Sequence, residues 1–480
     1  LPTGLALSYN GTLYICEGGK NRVLVYSPKP GLAETVPASA SSQGANGTNW
    51  KTDFFIFNPS DEEINVNLNY YYSNQKEEKN LVLSSYQGIE IKDIILNYFG
   101  KPNTYGAITS ICFNENQPKI FTRTYNQTKE GTYGQGIRAS PFDETFYQGE
   151  KAYLIGLKEN EGFRTNIGFF NLKEFPINLK IKFYNYEGEK IIEKEYNLNA
   201  YEHKQINQII KEYGEIENIY AEVWTETQDG RIGVYSSIVD NKTGDPVYIE
   251  AEGYGTYQPE EFKKIVPVVV SKKGVNGTYW KTELDLVNLG YEEMEINLRY
   301  HPTEGEGENL NLKLKPKEGK SFKDILIELF YKPESYGWLE LDYNTSGLLI
   351  RARIYTGEDK TYGQGIKAVS KSELKEKEGY LLNLKETENF RSNLGILNLN
   401  EEEKNFKLKL IKDGNIISEE EIKIEGRKLI QIDNILKNLF EKEGEGYTIK
   451  IKGENKNFTS YLSTVDNKTQ DPTFQNLNNF

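Results

Sequence analysis

The sequence predicts an all-β protein built from four tandem antiparallel β-sandwich domains, each with one short helix, behind a short N-terminal β-hairpin arm. Three observations lead to this prediction. The chain of 480 residues repeats itself over most of its length, its strands alternate apolar and polar residues, and it contains 34 Tyr and 22 Phe against 4 Trp. Such a load of Tyr and Phe is typical of sheets, and no apolar run is long enough to span a membrane as a helix.

A long internal duplication organises the chain. Residues 46–54 (NGTNWKTDF) return as residues 276–284 (NGTYWKTEL), and the hexapeptide TYGQGI occurs at 132–137 and again at 361–366. Self-similarity on so long a period indicates an array of structural units in series, without one special catalytic stretch.

A second kind of unit lies between these copies. FRTNIG at 163–168 recurs as FRSNLG at 390–395, and VDNKTGDP at 239–246 recurs as VDNKTQDP at 465–472. The order is therefore A, B, A, B, with units of about 115 residues, a usual domain size. The predicted ranges are 1–31 for the arm and its linker, 32–149 and 150–262 for the first A and B units, and 263–376 and 377–480 for the second pair.

Strand and helix signals recur in every unit. A strand with one buried face is predicted where apolar and polar side chains alternate, at 64–70, 179–183, 296–300 and 406–410. One short helix per unit is predicted where Asp or Asn precedes apolar residues at helical spacing, at 93–99, 207–213, 324–330 and 433–440. Short strands at even spacing with one connecting helix are typical of an immunoglobulin-like antiparallel sandwich.

The repeated motifs resemble those of tandem immunoglobulin-like modules in secreted and surface bacterial proteins. The resemblance lies in the aromatic-basic-Thr-acidic opening at 50–53, the TYGQ stretch and the closing VDNKTGDP segment, and it covers residues 32–480. Gln470 departs from the closing pattern, where Gly is expected. The resemblance implies an extracellular or cell-surface location more clearly than it implies an activity.

The N-terminal arm differs from the units that follow. Residues 2–7, 10–15 and 21–26 resemble a single NHL repeat, which is one blade of a β-propeller. One blade cannot bury both its faces, so the arm must dock on its own chain, continue a removed series of blades, or add strands to another subunit. The Pro-rich linker at 28–31 favours another subunit. The strand residues expected to make this contact are Leu13, Ile15, Val23, Val25 and Tyr26.

No enzyme site or cofactor is predicted. The two histidines, His203 and His301, occupy non-equivalent places, and no acidic residue stands out from its repeat equivalents. There is also no zinc-ligand cluster. A net charge of −13 without a basic stripe argues against nucleic acid as a partner.

Two groups of residues can be interpreted either as structural or as ligand-binding. Asp240 and Asp245, like Asp466 and Asp471, have the spacing of weak calcium candidates, but a turn stabilised by Asp and Asn side chains is favoured because a closing Glu is missing. The aromatic residues that open the repeats are predicted to be buried framework residues, with sugar-stacking platforms as the alternative; they are Trp50, Trp280, Phe163 and Phe390.

Covalent modifications have weaker signals. Cys16 and Cys112 are a candidate disulfide, although two cysteines do not fix the redox compartment. Asn46 and Asn276 are candidate glycosylation sites at equivalent places. The chain begins at Leu1 without an initiator Met, which indicates a mature or excised piece of a longer precursor.

Two functional hypotheses follow. The first is an extracellular structural protein, a subunit of a bacterial surface stalk or filament, in which rigid sandwiches lie in series and the arm of one copy joins the next copy head-to-tail by strand addition. The second is an adhesin or carbohydrate-binding surface protein whose loops hold glycans or other cell-surface components.

Overall fold

The protein is all-β, as the sequence predicts, and its strands pair antiparallel throughout the described chain. The computed structural model describes residues 4–7, 13–17, 22–26, 32–114, 116–141, 144–254, 263–370, 373–374 and 377–477. Strand pairing divides residues 32–477 into four sandwich units. In these described ranges no helix is long and apolar enough to cross a membrane.

The arm is a three-stranded antiparallel sheet, one strand more than the predicted hairpin. Its strands follow chain order and are β1 (Gly4–Leu7), β2 (Leu13–Glu17) and β3 (Arg22–Tyr26). Among the strands that the structure describes, these three pair only with one another. The arm is therefore not part of any sandwich sheet.

The first A unit folds one nine-stranded sheet over on itself. In the middle of its strand path, β4 and β5 pair only where Ser42 and Gln43 lie opposite Trp50 and Asn49. This short pairing joins a layer of order β11-β10-β5 to a layer of order β4-β9-β6-β7. The elements are β4 (Leu32–Gln43), β5 (Asn49–Phe57), β6 (Ile64–Tyr72), β7 (Gln75–Leu83), β8 (Gly88–Ile91), α1 (Ile94–Asn97), β9 (Thr104–Cys112), β10 (Lys119–Gln127), β11 (Thr132–Arg138) and β12 (Ser140–Pro141).

The first B unit has two separate five-stranded sheets. One has the order β13-β20-β15-β18 with β21 beside β20, and the other has the order β17-β16-β19-β14-β22. The strands are β13 (Phe146–Tyr147), β14 (Ala152–Glu159), β15 (Phe163–Asn171), β16 (Ile177–Asn185), β17 (Lys190–Leu198), β18 (His203–Ile206), β19 (Ile216–Thr225), β20 (Arg231–Asp240), β21 (Pro246–Glu250) and β22 (Glu252–Gly253).

The second A unit repeats the nine-stranded sheet of the first, with the path β26-β25-β28-β23-β24-β29-β30. Its elements are β23 (Lys263–Lys273), β24 (Tyr279–Asn288), β25 (Met294–Pro302), β26 (Glu308–Leu314), β27 (Gly319–Phe322), α2 (Ile325–Glu328), β28 (Ser335–Tyr343), β29 (Leu348–Thr356), β30 (Tyr362–Ile366) and β31 (Val369–Ser370). The duplication seen in the sequence is thus a duplication of strand order.

The second B unit has two four-stranded sheets, of order β32-β37-β34-β35 and β36-β33-β38-β39. Its elements are β32 (Glu378–Glu386), β33 (Phe390–Asn398), β34 (Lys404–Lys412), β35 (Asn415–Ile424), β36 (Leu429–Ile432), α3 (Ile435–Asn438), β37 (Gly444–Gly453), β38 (Phe458–Asp466) and β39 (Pro472–Asn476). The first B unit has a 3-10 turn at Lys211–Tyr213 where this unit has α3. Each unit therefore has a short helical turn near the predicted place, and the A units have a further 3-10 turn at Ala45–Gly47 and Val275–Gly277.

The core follows the alternation in the sequence. In β6, Ile64, Val66, Leu68 and Tyr70 are buried in the first sandwich, while Asn65 between them is exposed. The other three units build their own apolar clusters in the same way. Burial of these stripes is the main favourable term for each sandwich.

The four units close into a ring, so the expectation of sandwiches in a row is wrong. The first A unit contacts the second B unit, where Lys385 Nζ lies 2.5 Å from Glu90 Oε1. The first B unit contacts the second A unit through Lys158 and Glu283, 3.2 Å apart. Arg138 in the first A unit pairs with Glu250 in the first B unit, and Arg427 pairs with Glu340 in the second pair. A sequence repeat specifies each unit but not how the units dock.

Candidate assembly site

The repeated motifs meet at the centre of the ring. This central junction consists of the two turns at 240–245 and 466–471 with the strands β11 and β30. Each turn is held by its first aspartate, because Asp240 Oδ1 accepts hydrogen bonds from the backbone N–H groups of Lys242 and Thr243 at 2.8 and 2.9 Å. Asp466 holds the other turn in the same way. This is the Asp-stabilised turn that the sequence analysis favoured over calcium.

The second oxygen of the same aspartate reaches another unit. Asp240 Oδ2 accepts from the backbone N–H and the hydroxyl of Thr361, at 2.9 and 2.8 Å. Asp466 Oδ2 accepts from the same two groups of Thr132, at 2.9 and 2.6 Å. The turn of each B unit thus binds the TYGQ segment of the A unit in the other half of the chain.

The second aspartate of each turn adds a charged contact. Asp245 Oδ2 accepts from Gly363 N at 3.0 Å and from Arg353 Nη2 at 3.2 Å. Asp471 Oδ2 makes the equivalent bonds to Gly134 N and Arg123, at 2.7 and 3.4 Å. Charge-assisted hydrogen bonds of this kind are about twice as strong as neutral ones.

The glycine of the TYGQ motif allows this close approach. A Cβ atom built on Gly363 would lie 2.2 Å from the carbonyl oxygen of Ile354, and one on Gly134 would lie 2.6 Å from Cβ of Tyr125. Both distances are shorter than any real contact, so a side chain would push the strand out of place. The motif therefore requires Gly so that β11 and β30 can pack against their neighbouring strands β10 and β29 in the same unit.

Asp245 and Asp471 also face each other across the centre. Both side chains are fully buried, and their remaining oxygens receive no hydrogen bond from any described donor. Burial raises the pKa of Asp245 to about 7, and burial together with the nearby Asp245 carboxylate raises the pKa of Asp471 well above its usual range. The two carboxyls therefore titrate as one coupled pair, and burial favours the protonated form of both.

The four aspartates thus have roles in joining units, and the calcium interpretation is not needed to explain them. In the part of the chain that the structure describes, no group of three or more His, Cys, Asp and Glu residues is placed to hold a metal ion. Both carboxylate oxygens of Asp240 and Asp466, and one oxygen each of Asp245 and Asp471, accept hydrogen bonds from backbone N–H groups.

The two contacts between the halves differ in chemistry. Between the first B and second A units, Tyr186 OH donates to Asp285 Oδ1 at 3.0 Å, and Arg351 Nη1 lies 2.5 Å from Asp285 Oδ2. Between the second B and first A units the corresponding surface is an apolar cluster of Phe55, Phe57, Tyr380, Leu382 and Ile411. Both contacts thus combine an ion pair with apolar packing. They differ at one place, where the first has Asp285 and Arg351 and the second has Phe55 and Phe121.

The prediction that Trp50 and Trp280 are buried is wrong, since both are only half-buried. Each lies at the start of its strand, with indole Nε1 against the turn glycine, Gly44 or Gly274. Trp338 is the tryptophan that is fully buried, at 1% exposure. A strand's first residue lies at the rim of a sandwich, where neighbouring units decide how much of it is covered.

Phe163 and Phe390 are half-buried as well, and each contacts cations from two units. Lys158 Nζ lies 4.1 Å from the ring centroid of Phe163, and the Arg353 guanidinium lies 5.9 Å from it. Phe390 has the equivalent neighbours Lys385 and Arg123. These rings therefore line the junctions between units. The prediction that they are framework residues considered each unit by itself and did not include this contact.

The remaining candidates lie away from the junction. Cys112 is buried, with Sγ 3.6 Å from Asn114 Oδ1, and Cys16 is exposed in the arm; the structure contains no disulfide between them. Asn46 and Asn276 lie in 3-10 turns, and their side chains are outside the described part of the structure. The same holds for the side chains of Leu13, Ile15, Val23, Val25 and Tyr26, whose backbones form β2 and β3.

One signal for the central junction is present in the sequence. TYGQ occurs only in A units and the VDNKT turn only in B units, at 132–135, 361–364, 239–243 and 465–469. Each motif occurs twice, and the two motifs never occur in the same unit. This distribution is the one expected if each TYGQ segment of an A unit binds one VDNKT turn of a B unit.

Fold and junction define a tandem-repeat β-sandwich protein whose units dock on one another. No family model matches the chain, and no curated protein matches it. A search of solved structures found a chain described as the crystal structure of a tetra-tandem repeat in the extending region of a large adhesion protein. The similarity covers 87% of this chain and 91% of that chain, at 10% identity and a TM-score of 0.10. The function must therefore be argued from the residues of this chain.

Proposed function

We propose that the protein is an extracellular structural protein, a subunit of a surface stalk or filament in which the ring of four sandwiches is a rigid block and the N-terminal arm joins one block to the next. The observation that supports this most directly is the use of the repeated motifs. Their aspartate, threonine and glycine residues form hydrogen bonds that hold the units together, and we call each such set of bonds a lock.

Rigidity follows from how the locks are distributed. Each lock joins residues that are far apart in sequence, such as Thr132 with Asp466, and all are buried. A displacement of one unit that is too small to admit water would leave a buried carboxylate without its donors, which is strongly unfavourable. A block that resists such opening transmits force and keeps its shape, as a filament subunit must.

The arm supplies the contact between blocks in this proposal. A sheet of three short strands is marginal alone and has two edges with unpaired backbone groups. Within the described residues neither edge pairs with a strand of the ring. Strand addition to another copy would satisfy one of these edges, and repetition of that contact would give head-to-tail polymers.

Deleting residues 1–31 tests the proposal. We expect the intact protein to form filaments in negative-stain electron microscopy, and the truncated protein to remain a monomer in sedimentation while it melts at the same temperature. Filaments formed by the truncated protein, or an intact protein that stays monomeric at high concentration, would contradict it.

A point substitution provides a milder test. Val25 pairs with Tyr14 in the arm sheet, so Val25→Pro removes a backbone donor from β3, whereas Val25→Thr keeps both the donor and a β-branched side chain. Assembly should be lost in the first variant and retained in the second.

A further inference from the structure

A partly open cavity lies between the first A unit and the first B unit. Its volume is about 140 Å³. Trp50, Thr124 and Gln135 line it from the A unit, and Arg164, His203 and Gln205 line it from the B unit. We refer to it as the A1–B1 cavity.

The internal duplication shows how the cavity arises. Residues 38–40 are Ala, Ser and Ala, while the equivalent residues 268–270 of the second A unit are three valines. Strand register identifies two more equivalent pairs. Thr124 corresponds to Ile354, because they lie opposite the equivalent residues Thr52 and Thr282. His203 corresponds to Leu429, because they lie opposite the equivalent residues Phe170 and Leu397.

The second A–B interface is filled where the first is open. Ile354, Leu429 and Tyr461 belong to one apolar cluster that runs from the second A unit into the second B unit. In the first copy smaller and polar side chains replace this filling, which costs stability through lost packing and through burial of polar groups. A ligand that occupies the space would offset this cost.

His203 lines this cavity and has one ring nitrogen without a hydrogen bond of normal geometry. It is 6% exposed, its Nε2 lies 3.2 Å from Tyr235 OH, and its Nδ1 makes no hydrogen bond of normal geometry. Burial lowers the pKa of His203 to about 4, against a small opposing effect of the Pro37 backbone, so the ring is neutral at physiological pH. A ligand hydroxyl, which both donates and accepts, suits the free nitrogen in either tautomer.

Arg164 brings a buried positive charge without an acidic partner in contact. Its Nη1 donates to Asn241 Oδ1 at 2.7 Å, and among the described residues no carboxylate lies within salt-bridge distance of its guanidinium. Arg164 as a whole residue is 3% exposed, and burial lowers the pKa of its guanidinium. A buried cation is costly unless an anion pairs with it, and a carboxylate is the natural bidentate partner of Arg.

Two more side chains offer donors. Gln135 Oε1 accepts from Ser237 Oγ at 3.2 Å, which leaves its NH₂ group available, and Trp50 Nε1 makes no hydrogen bond to any described residue. An indole with a polar edge is well suited to a ligand that has both an apolar ring face and hydroxyl groups.

We propose that the A1–B1 cavity binds a small hydroxylated carboxylate of monosaccharide size, a sugar acid. Its carboxylate pairs with Arg164, its hydroxyls bond to Gln135 and His203, and its ring lies against Trp50. The size follows from the cavity volume, which is below that of a drug-sized pocket. The proposal does not depend on filament formation.

Isothermal titration of the intact protein with glucuronate, galacturonate and N-acetylneuraminate tests the proposal, with glucose as the neutral control. At least one sugar acid should bind, and at least tenfold more tightly than glucose. Arg164→Gln should weaken that binding tenfold or more, while the matched change Arg391→Gln in the second B unit should leave it unchanged.

A second variant does not depend on the stability of the Arg164 change. Thr124→Ile introduces the residue that occupies the equivalent place in the second A unit, so we expect it to fold and to block the cavity. Absence of binding by all three acids, or binding that survives both Arg164→Gln and Thr124→Ile, would overturn the proposal.

Discussion

At the scale of single residues, one asparagine per unit closes the corner between strands. In the second A unit, Asn288 Nδ2 donates to the carbonyl oxygens of Glu292, Leu314 and Lys315 at 2.8, 3.2 and 3.0 Å. The same residue type, fully buried, occupies the same corner in every unit, as Asn58, Asn171, Asn288 and Asn398. The sequence contains this signal, because each opening apolar run ends in Asn.

Replacing this asparagine tests its role. Asn288→Ala leaves three carbonyl oxygens without their donor, so we expect the free energy of unfolding of that unit to fall by about 2–3 kcal/mol. Asn297→Ala, which removes an exposed bond to Asn311, should change it by less than about 0.5 kcal/mol. Calorimetric melting curves of the full chain compare the two, and equal effects would contradict the assignment.

The pKa of Asp245 predicts a pH dependence of stability. Its value of about 7 in the folded protein lies above that of an unfolded Asp, about 4, so the native carboxyl binds a proton that the unfolded chain has lost. The stability linked to this group is complete below about pH 4 and is lost as the pH rises through 7.

Asp245→Asn mimics the protonated carboxyl and should remove the loss of stability that Asp245 causes as the pH rises. We expect the melting temperature of the variant to fall less than that of the parent between pH 5 and pH 8. Asp359→Asn, at an exposed acid that contacts Lys242, serves as the control and should keep the parental slope. A parental slope in Asp245→Asn would show that the pair does not titrate in this range.

At the scale of elements, the sequence predicted what a unit determines by itself. The alternating strands and the single helical turns were found because burial within one sandwich sets their pattern, as in β6 and α1. The half-burial of Trp50 and Phe163 could not be found in this way, because their cover comes from a turn glycine and from cations in other elements. Docking contacts leave no periodicity in a sequence.

The unit boundaries near Gly149, Phe262 and Lys377 remain predictions, and the ring sharpens their test. Limited proteolysis at these positions should give four pieces on a denaturing gel that still elute together from a native sizing column, because buried contacts join the units. The double variant Asp466→Ala with Asp471→Ala removes one lock, and its pieces should separate more readily. Stable pieces that span a boundary would contradict it.

At the scale of the whole molecule, the ring has a pseudo-two-fold axis through the centre. Tyr133 and Tyr362 meet across it, with ring centroids 6.1 Å apart. The equivalent residues Asp245 and Asp471 also face each other across this axis. Each half of the chain, one A unit and one B unit, therefore offers a complete set of docking groups to the other half.

The two halves should reassociate when they are made separately. Residues 32–262 and 263–477, mixed at equal concentration, are expected to form a 1:1 complex with the sedimentation coefficient of the truncated single chain. Asp466→Ala in the second half should weaken this complex by at least tenfold, since it removes two hydrogen bonds to Thr132. Failure of the folded halves to associate would mean that the ring depends on the covalent connection.

The unlike chemistry of the two half-to-half contacts has a consequence for ancestry. A ring with a pseudo-two-fold axis is what results when the gene of a symmetric homodimer duplicates and fuses, and at that moment both contacts were identical. Now one contact has Asp285 and Arg351 where the other has Phe55 and Phe121 at the equivalent places. A second half that met its own copy would bury Asp285 and Arg351 against the apolar side chains of Leu382 and Ile411. Divergence after fusion has thus made the second half a poor partner for itself and a selective partner for its sister.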